Sequence, residues 1–187
     1  MHRNGFQVKN WSNWNKENLQ TAVVIGSGGG IGSALREKLV FSNKYNQVIG
    51  YSRSNDIELD ITDEKQILNA TKKLNKENDK INMLINSVGY LHDSDFFPEK
   101  RVSELNSDYL LKSYKINAIG HALIIKNFLP FMDHDNHSVL VCLSARVGSI
   151  TDNYLGGWFS YRASKAALNQ IVKTTSIELK RKKSKLI

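Results

Sequence analysis

Four short apolar runs recur along the chain, separated by segments of mixed polarity: TAVVIG from Thr21, QVIGYS from Gln47, INMLINS from Ile81 and SVLVCLS from Ser138. Each has strand length and lacks strict alternation, as a strand buried on both faces of a parallel sheet does. Helical spacing predicts helices over Ser33 to Ser42, Asp63 to Lys76, Ser107 to Met132 and Gly157 to Lys180. Thr62 with Asp63 supplies an N-terminal cap for the second, and Pro130 falls near the end of the third. This alternation predicts an α/β fold: a Rossmann-like doubly wound parallel sheet in three layers, α/β/α. Ligands of such sheets bind beyond the carboxyl ends of the strands, where the strand order reverses.

The first 20 residues do not follow the pattern. They are polar and rich in Asn, and they read as an N-terminal extension, leaving residues 21–187 as one nucleotide-binding domain. With 26 Lys and Arg against 18 Asp and Glu the net charge is +8, but much of the excess lies in Lys180, Arg181, Lys182, Lys183 and Lys185. That cluster reads as a solvated helix end or frayed tail, and no nucleic-acid-binding motif accompanies it, so no nucleic-acid partner is expected. Cys142 is the only cysteine, which excludes an intrachain disulfide. No apolar run approaches the ~20 residues of a membrane span, and the N-terminus lacks a signal-peptide core, so the expected location is cytoplasmic, away from membranes.

Candidate chemistry follows the runs. After the first comes Gly26-Ser27-Gly28-Gly29-Gly30-Ile31-Gly32, a turn of the type that brings backbone N–H groups and a helix N-terminus to a pyrophosphate. The spacing G-x-G-x-x-G fails here, while G-x-x-x-G-x-G fits Gly26, Gly30 and Gly32. The second run ends Tyr51-Ser52-Arg53-Ser54, with an arginine where an NAD site places an acid. A guanidinium there suits the 2′-phosphate of NADP, which makes NADP the expected cofactor ahead of NAD. Tyr161 and Lys165 stand one helical turn apart on one face, so the lysine is expected to lower the phenol pKa and fit Tyr161 for proton transfer. Trp158 and Phe159 read either as pocket lining or as helix packing. His92, His121, His134 and His137 read as loop or helix-surface residues, and no metal site is expected.

Taken in order, Gly26-x-x-x-Gly30-x-Gly32, Asn86-Ser87-Val88-Gly89, Asn117 and Tyr161-x-x-x-Lys165 resemble the short-chain dehydrogenases/reductases from Thr21 to Leu179. The stretch LSARVGSITDNYLGGWFSYRASKAALN is similar to the carbonyl-reductase subgroup related to C-factor proteins. The resemblance implies hydride exchange between a nicotinamide and a carbonyl or secondary alcohol. Tyr161 then transfers the proton, Lys165 holds the nicotinamide ribose, and Asn117 supports a water of the proton relay. The same resemblance places Ser27, Ile31, Arg53, Asp60, Ile61, Asn86 and Gly89 at the cofactor, and it implies a homodimer.

Two departures stand out. The serine that orients the substrate carbonyl falls at Ala145 by register, so Ser144, or failing it Ser149, is expected in that role. Family members also continue past the point where this chain ends. The expectation is therefore a fold without its last strands, with an exposed sheet edge, belonging to a shortened product or a reduced variant. A cofactor-binding but catalytically weak sensor and an inactive fragment remain as alternatives. Nucleotide-sugar epimerases share Tyr-x-x-x-Lys, and Gly26, Gly29 and Gly32 fit their glycine spacing, but the chain lacks their substrate domain.

Overall fold

The computed structural model describes residues 20–54, 57–74 and 80–187. The 1–20 extension, except Gln20, and the end of the second expected helix lie outside them. Strands β1 (Thr21–Ile25), β2 (Gln47–Ser52), β3 (Ile57–Glu58), β4 (Ile81–Asn86) and β5 (Val139–Cys142) form one parallel sheet in the order β3-β2-β1-β4-β5. The four long runs are strands as expected. The fifth strand, β3, has two residues and carries no pattern long enough to read. Every residue of β1 is buried, and Val23, Ile25, Leu84, Ile67 and Phe128 join sheet and helices in one core.

Helix α1 (Gly30–Phe41) begins three residues before the expected Ser33, because the glycines that hide helical propensity already belong to its first turn. Helix α2 (Glu64–Lys72) is capped by Asp63 alone, whose side chain accepts from the N–H groups of Lys65 and Gln66. The expected helix from Ser107 to Met132 is compound. It comprises α3 (Ser107–Tyr114), a π-helical turn at Lys115–Gly120, α4 (His121–Phe128) and a 3-10 turn at Leu129–Phe131 that holds Pro130. Helix α5 (Phe159–Arg181) follows β5.

The sheet order reverses between β2-β1 and β4-β5, so the ends of β1 and β4 frame the switch point. The basic stretch after α5 is not frayed. Leu186 is buried and bridges Ser138 in parallel, Ile187 donates its N–H to the Ser138 carbonyl (3.0 Å) and its own carbonyl accepts from Leu140 (2.9 Å), so part of the β5 edge is paired.

Candidate active site

The turn after β1 takes its shape from what its glycines lack. Gly26 has φ +86°, and a Cβ there would stand 2.8 Å from Ser87 Oγ and 2.9 Å from Val88 Cγ2. A Cβ on Gly32 would stand 2.1 Å from the Gly26 carbonyl oxygen, whereas one on Gly30 would meet nothing within 4 Å. Two glycines therefore serve close packing, Gly26 against the segment that follows β4 and Gly32 of α1 against the turn, while Gly30 faces open space at the head of α1. The first turn of α1 carries no acidic residue and no side-chain cap, which leaves the positive end of the helix dipole to a ligand. Ser27 is buried and its hydroxyl donates to the Tyr51 carbonyl (3.1 Å), so it braces the turn against β2. Ile31 lies exposed beside it.

A cleft of about 760 Å³ opens at the switch point, lined by Gly26, Arg53, Asp60, Ile61, Gly89 and Lys115 among others. Arg53 is exposed at the end of β2. Asp60 accepts from the Thr62 N–H (2.7 Å), and the buried Ile61 packs under Gly120, where a Cβ would come within 2.7 Å of it. Asn86, at the end of β4, accepts from the Val88 N–H (3.2 Å), while its Nδ2 has no hydrogen-bond partner among the described residues.

Beyond this cleft lies a wall of buried side chains. Lys165 is buried, its Nζ donates to the Leu143 carbonyl (2.8 Å) and stands 5.9 Å from the centre of the Tyr161 ring, and a Cβ on Gly89 would lie 3.7 Å from it. Desolvation lowers its pKa to about 8. The Tyr161 phenol moves the other way: burial raises it, against the expectation that Lys165 lowers it. The ammonium is turned to the Leu143 carbonyl, and loss of water around the ring dominates.

Asn117 sits in the π turn, fully buried. Its Oδ1 accepts from the Tyr90 N–H (2.8 Å), and its Nδ2 donates to the Tyr90 carbonyl (2.8 Å) and to Ser164 Oγ (3.1 Å). Both amide hydrogens are therefore engaged, and one lone pair of Oδ1 is what this side chain retains for a water. The residue ties Tyr90, in the segment that follows β4, to Ser164 of α5.

Ser144 is exposed just beyond β5. Ser149 shares a hydrogen bond with Thr151 (3.2 Å) and accepts from the Asp152 N–H (3.3 Å), which fixes it in its own loop. Trp158 packs edge-on against Tyr161 with ring centres 6.2 Å apart. It holds a left-handed conformation (φ +54°), which costs a non-glycine residue ~1–2 kcal/mol.

Several participants escaped the sequence. His121, expected on a surface, is fully buried, and its Nε2 shares a hydrogen bond with the Val88 carbonyl (2.9 Å). Desolvation lowers it to about 4. Lys112 pairs with Asp93 on the cleft wall, which holds that carboxyl down at about 2. Glu99, buried at 3% exposure, accepts from both the N–H and the hydroxyl of Ser160. Their partners are distant in sequence, so no local spacing announces them.

Known proteins resemble this chain in sequence and fold. The family model described as enoyl-(acyl carrier protein) reductase matches residues 35–186. Human estradiol 17-beta-dehydrogenase 11 is 26% identical over 121 residues, covering 65% of this chain and 37% of its own length. The 1-hydroxy-2-glutathionyl-2-methyl-3-butene dehydrogenase of Rhodococcus sp. (strain AD45) is 24% identical over 164 residues, covering 82% and 68%. The chain spans 37–40% of the length of the mammalian dehydrogenases it matches. Among solved structures, a short-chain dehydrogenase/reductase from Burkholderia multivorans with bound NADP superposes with a TM-score of 0.77 at 22% identity, covering 89% of this chain and 75% of that one. The carbonyl reductase Sniffer of Caenorhabditis elegans gives 0.77 at 23%, covering 90% and 83%. With a family model over most of its length and neighbours that share its fold, the chain belongs to the short-chain dehydrogenase/reductase family.

Proposed function

We propose that the chain works as an NADP(H)-dependent reductase of carbonyl compounds, or in reverse as a dehydrogenase of secondary alcohols, with Tyr161 as proton donor and acceptor. The observation that carries this reading is the buried Lys165 ammonium between the Leu143 carbonyl and the Tyr161 ring, opposite Gly89 at the mouth of the cleft. The residues present fit a dinucleotide: Gly30 leaves room at the head of α1, and the cleft volume lies within the range of small-molecule sites. Gly26, Gly30, Gly32 and Ile31 frame the pyrophosphate position, Arg53 meets a 2′-phosphate, and Asp60 with Ile61 borders the adenine. Bound NADPH supplies the hydride.

Tyr161 gives its phenolic proton to the substrate oxygen, with the Lys165 ammonium 5.9 Å from the centre of its ring. The phenol is protonated at neutral pH, as the acid of the reducing direction must be, while its burial raises the pKa and makes it a weaker donor in the unliganded chain. Ser144, exposed at the β5 end, takes the role of orienting the carbonyl. A homodimer through the α3 and α5 side belongs to this reading, supported by the exposed Leu111 and Ile119. Bound NADP in the Burkholderia multivorans structure supports the choice of cofactor.

Titration of the purified chain with NADPH and with NADH, followed by turnover on aldehydes and ketones, tests the proposal. Tighter NADPH binding with substrate-dependent oxidation supports it, and binding of neither nucleotide overturns it. A second reading, a cofactor-binding protein with little catalysis, is favoured by Ala145 at the serine register. It predicts NADPH binding without turnover.

A further inference from the structure

Helix α5 carries no side-chain cap of its own: its N-cap residue is the left-handed Trp158, whose side chain accepts nothing from the first turn. The carboxylate that performs this task comes from a loop 61 residues earlier in the chain. Glu99 Oε2 accepts from the Ser160 N–H (3.2 Å), Oε1 accepts from the Ser160 hydroxyl, and the Glu99 backbone carbonyl accepts from the Trp158 N–H. Gly157 passes so close that a Cβ on it would lie 3.3 Å from the same carbonyl. By contrast α2 and α3 are capped locally, by Asp63 and Asn106.

The loop that carries Glu99 is anchored at both ends. Asn117 joins Tyr90 to Ser164 at its start, the Tyr109 hydroxyl donates to the Leu91 carbonyl and Lys112 pairs with Asp93 along it, and Glu99 meets Ser160 at its end. Tyr161 lies between the two anchor points, Ser160 and Ser164, on the first turns of α5. A bulky residue in a left-handed conformation persists only where its surroundings fix it, and Glu99 supplies that hold at Trp158.

We propose that Glu99 is a positioning residue for Tyr161: its carboxylate and carbonyl clamp the Trp158–Ser160 turn and thereby set where the neighbouring phenol stands. This rests on the reading of Tyr161 as the proton donor. The carboxylate's place at a helix N-terminus adds a favourable charge interaction to the hydrogen bonds.

The test compares Glu99→Ala, Glu99→Gln and Ser160→Ala in the full chain labelled with 3-fluorotyrosine, the Tyr161 resonance being assigned by its loss in Tyr161→Phe. Glu99→Ala should shift or split that resonance and speed amide exchange at least tenfold in the first turn of α5 while the sheet keeps its protection. It should also lower kcat tenfold or more with the NADPH affinity unchanged. Glu99→Gln, whose amide can accept from the N–H and donate to the hydroxyl, should restore kcat to within about threefold, and Ser160→Ala should fall between. An unmoved fluorine signal in Glu99→Ala, or in Ser160→Ala should the former not fold, overturns the proposal, as does a moved signal with unchanged kcat. If the wild-type chain binds NADPH but reduces nothing, the reading of Tyr161 fails, and the fluorine signal still decides whether Glu99 sets its place.

Discussion

Around the turn between β1 and α1 the surface is defined by backbone and by missing side chains, whereas around α5 the defining contacts run through buried polar groups. Gly26 and Gly32 let chain segments touch, and Gly30 leaves a space. Asn117 donates to Ser164, Ser160 to Glu99 and Lys165 to the Leu143 carbonyl, so buried polar groups fill the space and satisfy their hydrogen bonds. The two halves should therefore fail differently. The glycine half tolerates a change wherever a Cβ finds room, and at such a position failure appears in ligand affinity. The polar half has no such room, and its failure appears in chemistry or in folding.

The largest expected effect separates catalysis from binding. Tyr161→Phe should lower kcat about 10³-fold, within the range for loss of a general acid, while NADPH affinity stays within about twofold. Comparable losses of both would erase the distinction between the halves. Within the glycine half, Gly32→Ala should cost about 2–4 kcal/mol of stability, because the new Cβ meets a backbone oxygen. Gly30→Ala should keep the melting temperature yet weaken NADPH binding tenfold or more, and thermal melts beside nucleotide titrations decide the matter.

In the polar half, His121 stays neutral when folded with a pKa of about 4, against 6.5 when unfolded. Below pH 6.5 the unfolded chain takes up a proton that the folded one refuses, so stability falls as the pH drops from 6.5 to 4, by roughly 3 kcal/mol in all. His121→Gln should flatten that limb, read from urea midpoints at pH 7 and 4.5. The smallest effect is at the rim: Arg53→Asp should weaken NADPH binding about tenfold and leave NADH nearly unchanged.

The same contrast explains what could be read from residues alone. The glycine turn, Arg53 and the Tyr161/Lys165 pair are local patterns, and each stands at a strand end or on one helix face as its spacing predicts. Strand β3 has two residues and shows no period. Glu99, His121 and the Lys112–Asp93 pair have their meaning in contacts between distant segments, and a lone Glu or His in a sequence does not reveal burial. The direction of the Tyr161 shift eluded the sequence because proximity to Lys165 is visible there and desolvation is not.

The π turn at Lys115–Gly120 has a consequence for insertions and deletions. Buried positions run from Tyr109 through Ser113, Asn117, His121 and Ile125, in steps of four. On a regular α-helix such a stripe drifts about 40° at each step, since one residue turns the helix by about 100°. The wider turn takes up that drift, acting as one surplus residue that keeps two helical phases aligned on one wall. Removing a residue from this turn would leave a smoother helix with α4 still in phase with the core. Asn117 would then rotate off the wall, so the shortened chain should fold and lose its site.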